Sequence, residues 1–470
     1  MFNLKDAFFA FIILGILILI ARVIRQKIQW LRSLYIPSSI VAGVLALLLG
    51  PGVLGAIAGP NSSVANGLFS ETIRTVWSQS PGIFINIVFA AIFLGETIPS
   101  PREIWRKAAP QVAFGQTLAW GQYVVGLLLV LLVLTPLFGI DPMAGALIEV
   151  AFEGGHGTAA GMAETFVQLG FPEGADLSLG LATVGIVSGI VAGTALANWG
   201  RRNGKLQIDK IDPNQPDQST IKEDRESREI QVARANLLQD LLIDPLTLNL
   251  GFVALALLIG WLILQGLVAV ENLTWATQGF KLMAYVPLFP MALIGGLIVQ
   301  LILERLGLSF LIIRPLIANI AGVALDIVIV TAIATISLKV LGSNIWPFII
   351  LSIAGIVWNV WVFLFLGPRL LPSFWFERGI GDMGQSMGVT ATGIVLMRMV
   401  DPQNKSGAFE SFAYKQLLFE PIVGGGLFTA AAPALINQFG PIAVLGLTGL
   451  ILIAWLAFGF WNFKQTIRNS

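Results

Sequence analysis

Two short segments of this chain concentrate the residue types that can hold a charged solute. The first is Glu153-Gly-Gly-His-Gly-Thr-Ala-Ala-Gly161, and His156 is the single histidine of the protein. Glycines at 154, 155 and 157 let the backbone leave helical geometry and bring its N–H and C=O groups close to a ligand. A helix N-terminus beyond such a break can hold a substrate carboxylate, while freed carbonyls and the Thr158 hydroxyl suit a dehydrated Na+. The second segment is Gly381-Asp-Met-Gly-Gln-Ser-Met-Gly-Val-Thr-Ala-Thr392. Gly384 and Gly388 break or crowd its backbone. Gln385, Ser386, Thr390 and Thr392 offer neutral oxygens, and Asp382 is either a cation ligand or the partner of Arg378. The candidate binding residues are therefore Glu153, Gly154, Gly155, His156, Gly157 and Thr158 in one segment, with Gly381, Asp382, Gly384, Gln385, Ser386, Gly388, Thr390 and Thr392 in the other. Thr158, Ser386, Thr390 and Thr392 are the expected Na+ donors. Packing between helices explains most small-residue clusters in membranes, but not a histidine and a glutamate inside one.

These segments must be positioned by helices in lipid. Of the 470 residues, 56% are hydrophobic and only 12% charged, where a soluble domain carries about 25% charge. Lys and Arg total 28 against 27 acids, a balance that offers no basic surface for nucleic acid, and cysteine is absent. No cofactor is implied. Apolar runs near the required length of about 20 residues predict spans at 7–24, 34–58, 82–98, 111–138, 176–199, 246–269, 284–303, 316–340, 344–366, 411–437 and 440–462. The first is expected to be a retained helix rather than a cleaved leader, since Arg22 and Arg25 follow it where a small-residue site would stand. Stretches 143–168 and 376–399 are long enough to enter the membrane but carry Glu149, Glu153, His156 and Glu164, and Glu377, Arg378, Asp382 and Arg398. A lipid-facing charge costs about 2.5–3.5 kcal/mol even on the lenient insertion scale, so both are expected to be re-entrant hairpins.

The hairpin topology agrees with the positive-inside rule. It puts 23 basic residues on one face, including eight between Arg201 and Arg234, and leaves Lys5, Arg74, Lys281 and Lys339 on the other, with Lys415 inside a helix. Pro37-Ser-Ser-Ile-Val-Ala-Gly43 and Pro290-Met-Ala-Leu-Ile-Gly-Gly296 share a pattern, and Phe152-Glu153-x-Gly155 is echoed by Phe376-Glu377-x-Gly379. The expected fold class is thus an all-α polytopic membrane protein. It has two inverted-topology repeats of five transmembrane helices plus one re-entrant hairpin each, and one extra C-terminal helix. Its parts are 1–199 for the first repeat, 200–244 for a cytoplasmic linker with a helical stretch from about 219 to 240, 245–437 for the second repeat and 438–470 for the extra helix and tail. Inverted repeats with broken helices at their interface are a recurrent plan of secondary transporters.

The motifs resemble those of the sodium/glutamate symporters. The family signature G-G-H-G-T stands unbroken at Gly154-Gly155-His156-Gly157-Thr158, and a pattern like G-x-x-G-x-x-x-G-x-T-x-T is matched by Gly381, Gly384, Gly388, Thr390 and Thr392. The resemblance spans essentially the whole chain. It implies glutamate as substrate, Na+ as coupling ion, a multi-pass protein of the bacterial inner (plasma) membrane, and a homodimer that moves a substrate-carrying domain against a scaffold. Glu153 and Asp382 depart from the family pattern, as does Gly161. A related expectation keeps the architecture with another small carboxylate or with proton coupling through Glu153 and His156.

Gly379-Ile-Gly-Asp382 also spells the GxGD of intramembrane aspartyl proteases, with Asp326 as a second acid. Paired carboxylates can share a proton, but such an enzyme needs neither a second hairpin nor the 154–158 cluster. Glu410, Lys415 and Glu420 are expected to neutralise one another or face the aqueous path, and Gly424-Gly-Gly426 to mark close helix packing or a hinge.

Overall fold

The computed structural model describes residues 3–33, 36–208 and 244–469. The helical stretch expected at 219–240 lies outside them. Among the described residues the chain is helical without strands, and nine helices are long and apolar enough to cross a membrane. The main elements are α1 (Leu4–Lys27), α2 (Ser38–Leu48), α3 (Glu71–Ala91), α4 (Pro101–Leu129, continuing to Phe138), α5 (Leu147–Phe152), α6 (Gly155–Gly161), α7 (Ala163–Gln168) and α8 (Glu173–Arg202). After the linker follow α9 (Pro245–Leu273), α10 (Leu288–Arg305), α11 (Arg314–Ala334), α12 (Ile345–Trp361, continuing to Leu370), α13 (Trp375–Val400), α14 (Ala408–Phe419) and α15 (Leu427–Asn469).

Two of the eleven expected spans differ. The run at 82–98 is the second half of α3, which starts at Glu71 under a Ser70 N-cap and ends at Ala91. Its first half is polar, so hydropathy alone located only the remainder. The run at 411–437 is broken: α14 stops at Phe419, and the chain turns through residues 420–426 before α15 begins. Positive φ at Gly424 (72°) and Gly425 (104°) makes that turn, a geometry that side-chain-bearing residues rarely adopt. The glycine triplet is therefore a break in a span, and it also packs closely, since a methyl group on Gly425 would stand 2.4 Å from Phe89 Cζ. A second reversal, at Gly440 (φ 80°), divides α15 into two helices.

The helices pack as two bundles. One gathers α1, α2, α3, α9, α10 and α11; the other gathers α4 to α8 and α12 to α15. Within the first, small residues set the spacing. A methyl group on Gly43 would stand 2.7 Å from Ile333 Cβ, and one on Gly296 would stand 2.2 Å from the Ala90 carbonyl oxygen. Helix α2 thus rests on α11, and α10 on α3, each at the glycine that closes its proline-led motif. Within the second bundle α4 and α12 run antiparallel, tied by Trp358 Nε1 donating to the Leu118 carbonyl at 3.0 Å. The bundles meet where α6 lies against α3 and α11: Gly157 faces Ile85 and Leu325, and Gly161 faces Ile85 and Phe289. Exposed Phe8, Ile12, Ile16 and Leu19 on α1, with Leu250, Leu258, Trp261 and Leu262 on α9, give the first bundle an apolar outer surface.

Candidate functional site

Helix α13 is a hairpin of two helical arms. At Gly388 (φ −160°, ψ 37°) and Val389 (φ 64°, ψ 169°) the backbone leaves helical geometry, and the arms 375–387 and 390–400 fold against each other. A methyl group on Gly381 would stand 2.6 Å from Met397 Sδ, and one on Gly384 would stand 3.0 Å from Gly393 Cα. In a straight helix residues 381 and 397 would lie about 24 Å apart at 1.5 Å per residue. Gly388 therefore breaks the chain, while Gly381, Gly384 and Gly393 let the arms touch.

The first polar segment also doubles back. Asp141 caps a 3-10 turn at Pro142–Ala146, the chain runs through α5, turns at residues 153–155 and returns through α6 and α7. Thr165 Oγ1 donates to the Tyr285 carbonyl at 3.0 Å, and Asn437 Nδ2 to the Leu169 carbonyl at 3.4 Å. The same end of the molecule holds Asp176, whose Oδ1 accepts from Ser337 N at 2.8 Å. The second hairpin starts from the opposite end, where Phe374 N donates to Gln207 and Ile208 N donates to Glu377 Oε1 at 2.8 Å. Lys107 and Glu410, 2.9 Å apart, close that end.

The two tips meet at mid-bundle. Gly155 holds φ +66°, and a methyl group there would stand 2.2 Å from Val389 Cγ1. Ser386 Oγ donates to Glu153 Oε1 across the same junction. Gly185 of α8 makes room beside both tips, since its methyl would lie 2.3 Å from the Met387 carbonyl oxygen and 3.0 Å from Phe152 Cδ1. Of the three glycines expected to loosen the first hairpin, Gly155 alone takes a left-handed φ; Gly154 stays helical, and Gly157 makes room for Ile85. The Phe-Glu-x-Gly echo does not mark equivalent positions. Glu153 lies at a hairpin tip, whereas Glu377 lies at the foot of the other hairpin, bound to Ile208.

The break at 420–426 joins this junction. Glu149, fully buried in α5, accepts from Tyr123 Oη at 2.5 Å, Thr429 Oγ1 at 2.7 Å and Gly424 N at 2.8 Å. A methyl on Gly425 would stand 2.7 Å from Thr158 Oγ1. Gln122 of α4 donates to the Ser386 carbonyl at 2.7 Å and to Asn359 Oδ1 at 3.2 Å. His156 Nε2 lies 2.9 Å from Thr183 Oγ1 on α8. Thr390 Oγ1 bonds Glu420 at 3.3 Å and Gln416 at 3.0 Å, and Thr392 Oγ1 donates to the Gly388 carbonyl at 2.5 Å. In the sequence Glu149 is legible only as a charge unsuited to lipid, and Tyr123, Gln122, Asn359, Thr183 and Thr429 join the site only through the fold. Their signal was a polar side chain inside an apolar run.

Two expected pairings are corrected. Asp382 pairs with Lys415 at 3.1 Å and accepts from Gln111 at 2.5 Å, while Arg378 reaches the Ser406 carbonyl at 3.4 Å instead. Among the described residues Glu410, Lys415 and Glu420 form no ion pair with one another: Glu410 takes Lys107, Lys415 takes Asp382, and Glu420 takes Thr390 and Gln416. Such spacing, with residues five apart on one helix, turns successive side chains well away from each other. Asp326 is half-buried in α11 of the other bundle, and the pairing of Asp382 with a cation leaves it unlike one of two acids sharing a proton.

Several buried polar atoms at the junction have no hydrogen-bond partner among the described residues: Glu153 Oε2, His156 Nδ1, Thr158 Oγ1 and Gln122 Oε1. Leaving such a group unmatched costs about 1–3 kcal/mol each, so their concentration at one place fits a polar ligand. A hydroxyl that donates keeps acceptor lone pairs, so Ser386, Thr390 and Thr392 retain the capacity to face a cation. An open cleft of about 680 Å³ lies elsewhere, between the ends of α2, α3 and α11, and contains no hairpin residue.

The sequence pattern of the family described as sodium/glutamate symporter matches residues 4–403, which takes in both hairpins and every helix of the first bundle. A protein of Haemophilus influenzae named sodium/glutamate symporter is 24% identical to this chain over 437 residues, covering 92% of this chain and 96% of the relative. The GGHGT tip, the opposed hairpin and the spanning helices from α1 to α12 lie inside residues 4–403, and α14 and α15 follow them. The chain belongs to the sodium/glutamate symporter family and is a membrane transporter, not an enzyme.

Proposed function

We propose that this protein imports glutamate together with Na+ by alternating access, at a site formed where the tips of two opposed hairpins meet. The observation that carries this reading is the set of unmatched buried polar atoms at a junction of three backbone breaks. Thr158 Oγ1 is a free acceptor for Na+, with Ser386, Thr390 and Thr392 across the junction. The unshared Oε2 of Glu153 suits the substrate ammonium. The N-terminus of the 390–400 arm, which begins beside Gly155, suits a substrate carboxylate. Glycines 154, 155, 157, 381, 384 and 388 keep the backbones close enough for these contacts.

The two bundles supply moving and stationary parts. The bundle of α4 to α8 and α12 to α15 carries all site residues, and it touches the other bundle mainly through the small-residue face of α6, which suits sliding. We read the halves 1–199 and 245–437 as inverted repeats, supported by the reciprocal rests of α2 on α11 and α10 on α3. The 200–244 linker and the basic face then lie in the cytoplasm of a bacterial cell, the protein spans the inner membrane, 438–470 adds a last span and tail, and the family likeness supports a homodimer.

A second reading changes the cargo or the ion. Glu153 Oε2 and His156 Nδ1 are both buried and unmatched, an arrangement that also suits a proton. Thermal unfolding in detergent separates the two. Glutamate is expected to raise the midpoint by several degrees in NaCl and by less than a degree in choline chloride, with malate, citrate and lactate giving no shift. A larger shift with another carboxylate replaces glutamate, and a Na+-independent shift that grows at acid pH replaces Na+.

A further inference from the structure

The polar face of the second hairpin is already occupied by a charge of the chain itself. Lys415 on α14 is 1% exposed, and its Nζ lies 2.5 Å from Gln385 Oε1 and 3.1 Å from Asp382 Oδ1. The rings of Phe419 and Phe412 stand at 4.2 and 4.9 Å from the same nitrogen. Asp382, itself 0% exposed, is held on its other oxygen by Gln111. Gly115 on α4 is the position that admits the lysine stem, for a methyl there would stand 2.8 Å from Lys415 Cδ.

An ammonium and a Na+ ion make similar demands on such a cage. Each is a monovalent cation needing oxygen acceptors in exchange for water, and each is favoured by a carboxylate and by aromatic faces. Asp382 and Gln385 are two of the oxygens that the motif alone offers to Na+, yet both are directed at Lys415. A buried carboxylate left without its cation is costly, so removing one partner of such a pair is strongly destabilising. We propose that Lys415 is a tethered cation standing where a coupling Na+ would bind, so that the protein carries one Na+ fewer per cycle than its hairpin oxygens could hold. Because the lysine travels with the hairpin in both directions, it neutralises Asp382 without being released and adds no charge to the net cycle.

This inference rests on the Na+-coupled reading above, and the test separates the two. Proteoliposomes containing wild type, Lys415→Met, or the double variant Asp382→Asn/Lys415→Met are assayed for the ratio of 22Na+ to labelled glutamate entering in the same interval. Unfolding midpoints with and without NaCl are measured on the same samples. Lys415→Met is expected to gain about one Na+ per glutamate and to show a larger Na+-dependent rise in midpoint than wild type. The double variant also lacks the carboxylate that would hold the added ion, and is expected to show neither the gain in Na+ per glutamate nor the larger rise in midpoint. An unchanged ratio in Lys415→Met, or the same increase in the double variant, overturns the tethered cation while leaving symport standing. Where Lys415→Met is inactive, the unfolding arm decides, and equal Na+ responses in all three proteins overturn the inference. Wild type without Na+ entry overturns the coupling reading itself, and the tethered cation with it.

Discussion

Gly155→Ala is expected to reduce uptake by at least 100-fold while leaving membrane insertion and the amount of protein unchanged. The cost has two sources. Residue 155 sits at φ +66°, where a side chain costs roughly 1–2 kcal/mol. Its Cβ would also come within 2.2 Å of Val389 Cγ1, so one hairpin tip must move off the other. Val389 has little room to yield, since its own φ is +64°. The compensating change is therefore Val389→Gly, which removes the clashing methyl and suits the positive φ. The pair Gly155→Ala/Val389→Gly should recover a measurable part of the lost uptake. Recovery distinguishes tip-to-tip contact from general damage, and wild-type uptake in the single variant contradicts the placement of the site.

Glu149→Leu is expected to abolish uptake and to expose the chain near residue 424 to proteolysis, whereas Glu149→Gln retains a substantial fraction of activity. The carboxylate accepts from three donors on three elements: Tyr123 on α4, Gly424 in the break, and Thr429 on α15. Leucine leaves all three buried donors without a partner, at about 1–3 kcal/mol each. Against a total stability of about 5–15 kcal/mol for a typical domain, that is enough to open the break. Glutamine keeps an oxygen for Gly424 and Thr429 and turns its amide toward Tyr123, whose hydroxyl can accept as well as donate. Equal loss in both variants would mean that the negative charge itself, and not the acceptor geometry, is what the site uses.

The parts of this molecule legible in its sequence are those set by lipid and by glycine. Charged residues inside otherwise apolar runs marked the two segments that double back, because an unpaired charge facing lipid is expelled. The unbroken GGHGT located the tip of the first hairpin, and Gly388 located the turn of the second. Hydropathy missed the polar half of α3 because Glu71, Arg74, Thr75 and Ser78 lower the mean there although a helix still forms. It also ran 411–437 together, since three glycines inside a long apolar run weigh little in hydropathy but can take the positive φ that ends a helix. The partner of Asp382 was illegible for a different reason. Arg378 is one turn away in sequence and Lys415 is not, and pairing across helices follows from packing rather than spacing. Glu149 was seen as a charge without a place, and its three donors come from segments that only the folded bundle brings together.

We propose that the hairpin junction couples glutamate movement to Na+. Glutamate carries one net negative charge, so uptake into a negative interior costs about 2.3 kcal/mol per 100 mV, and one Na+ merely cancels that cost. Radiolabelled glutamate uptake into proteoliposomes, with an inward Na+ gradient and a potential set by valinomycin and K+, measures the coupling directly. Uphill accumulation that requires the Na+ gradient and rises as the interior is made more negative is the expected result, corresponding to two or more Na+ per glutamate. Accumulation that proceeds equally in choline, or none above the equilibrium level under any gradient, contradicts the account.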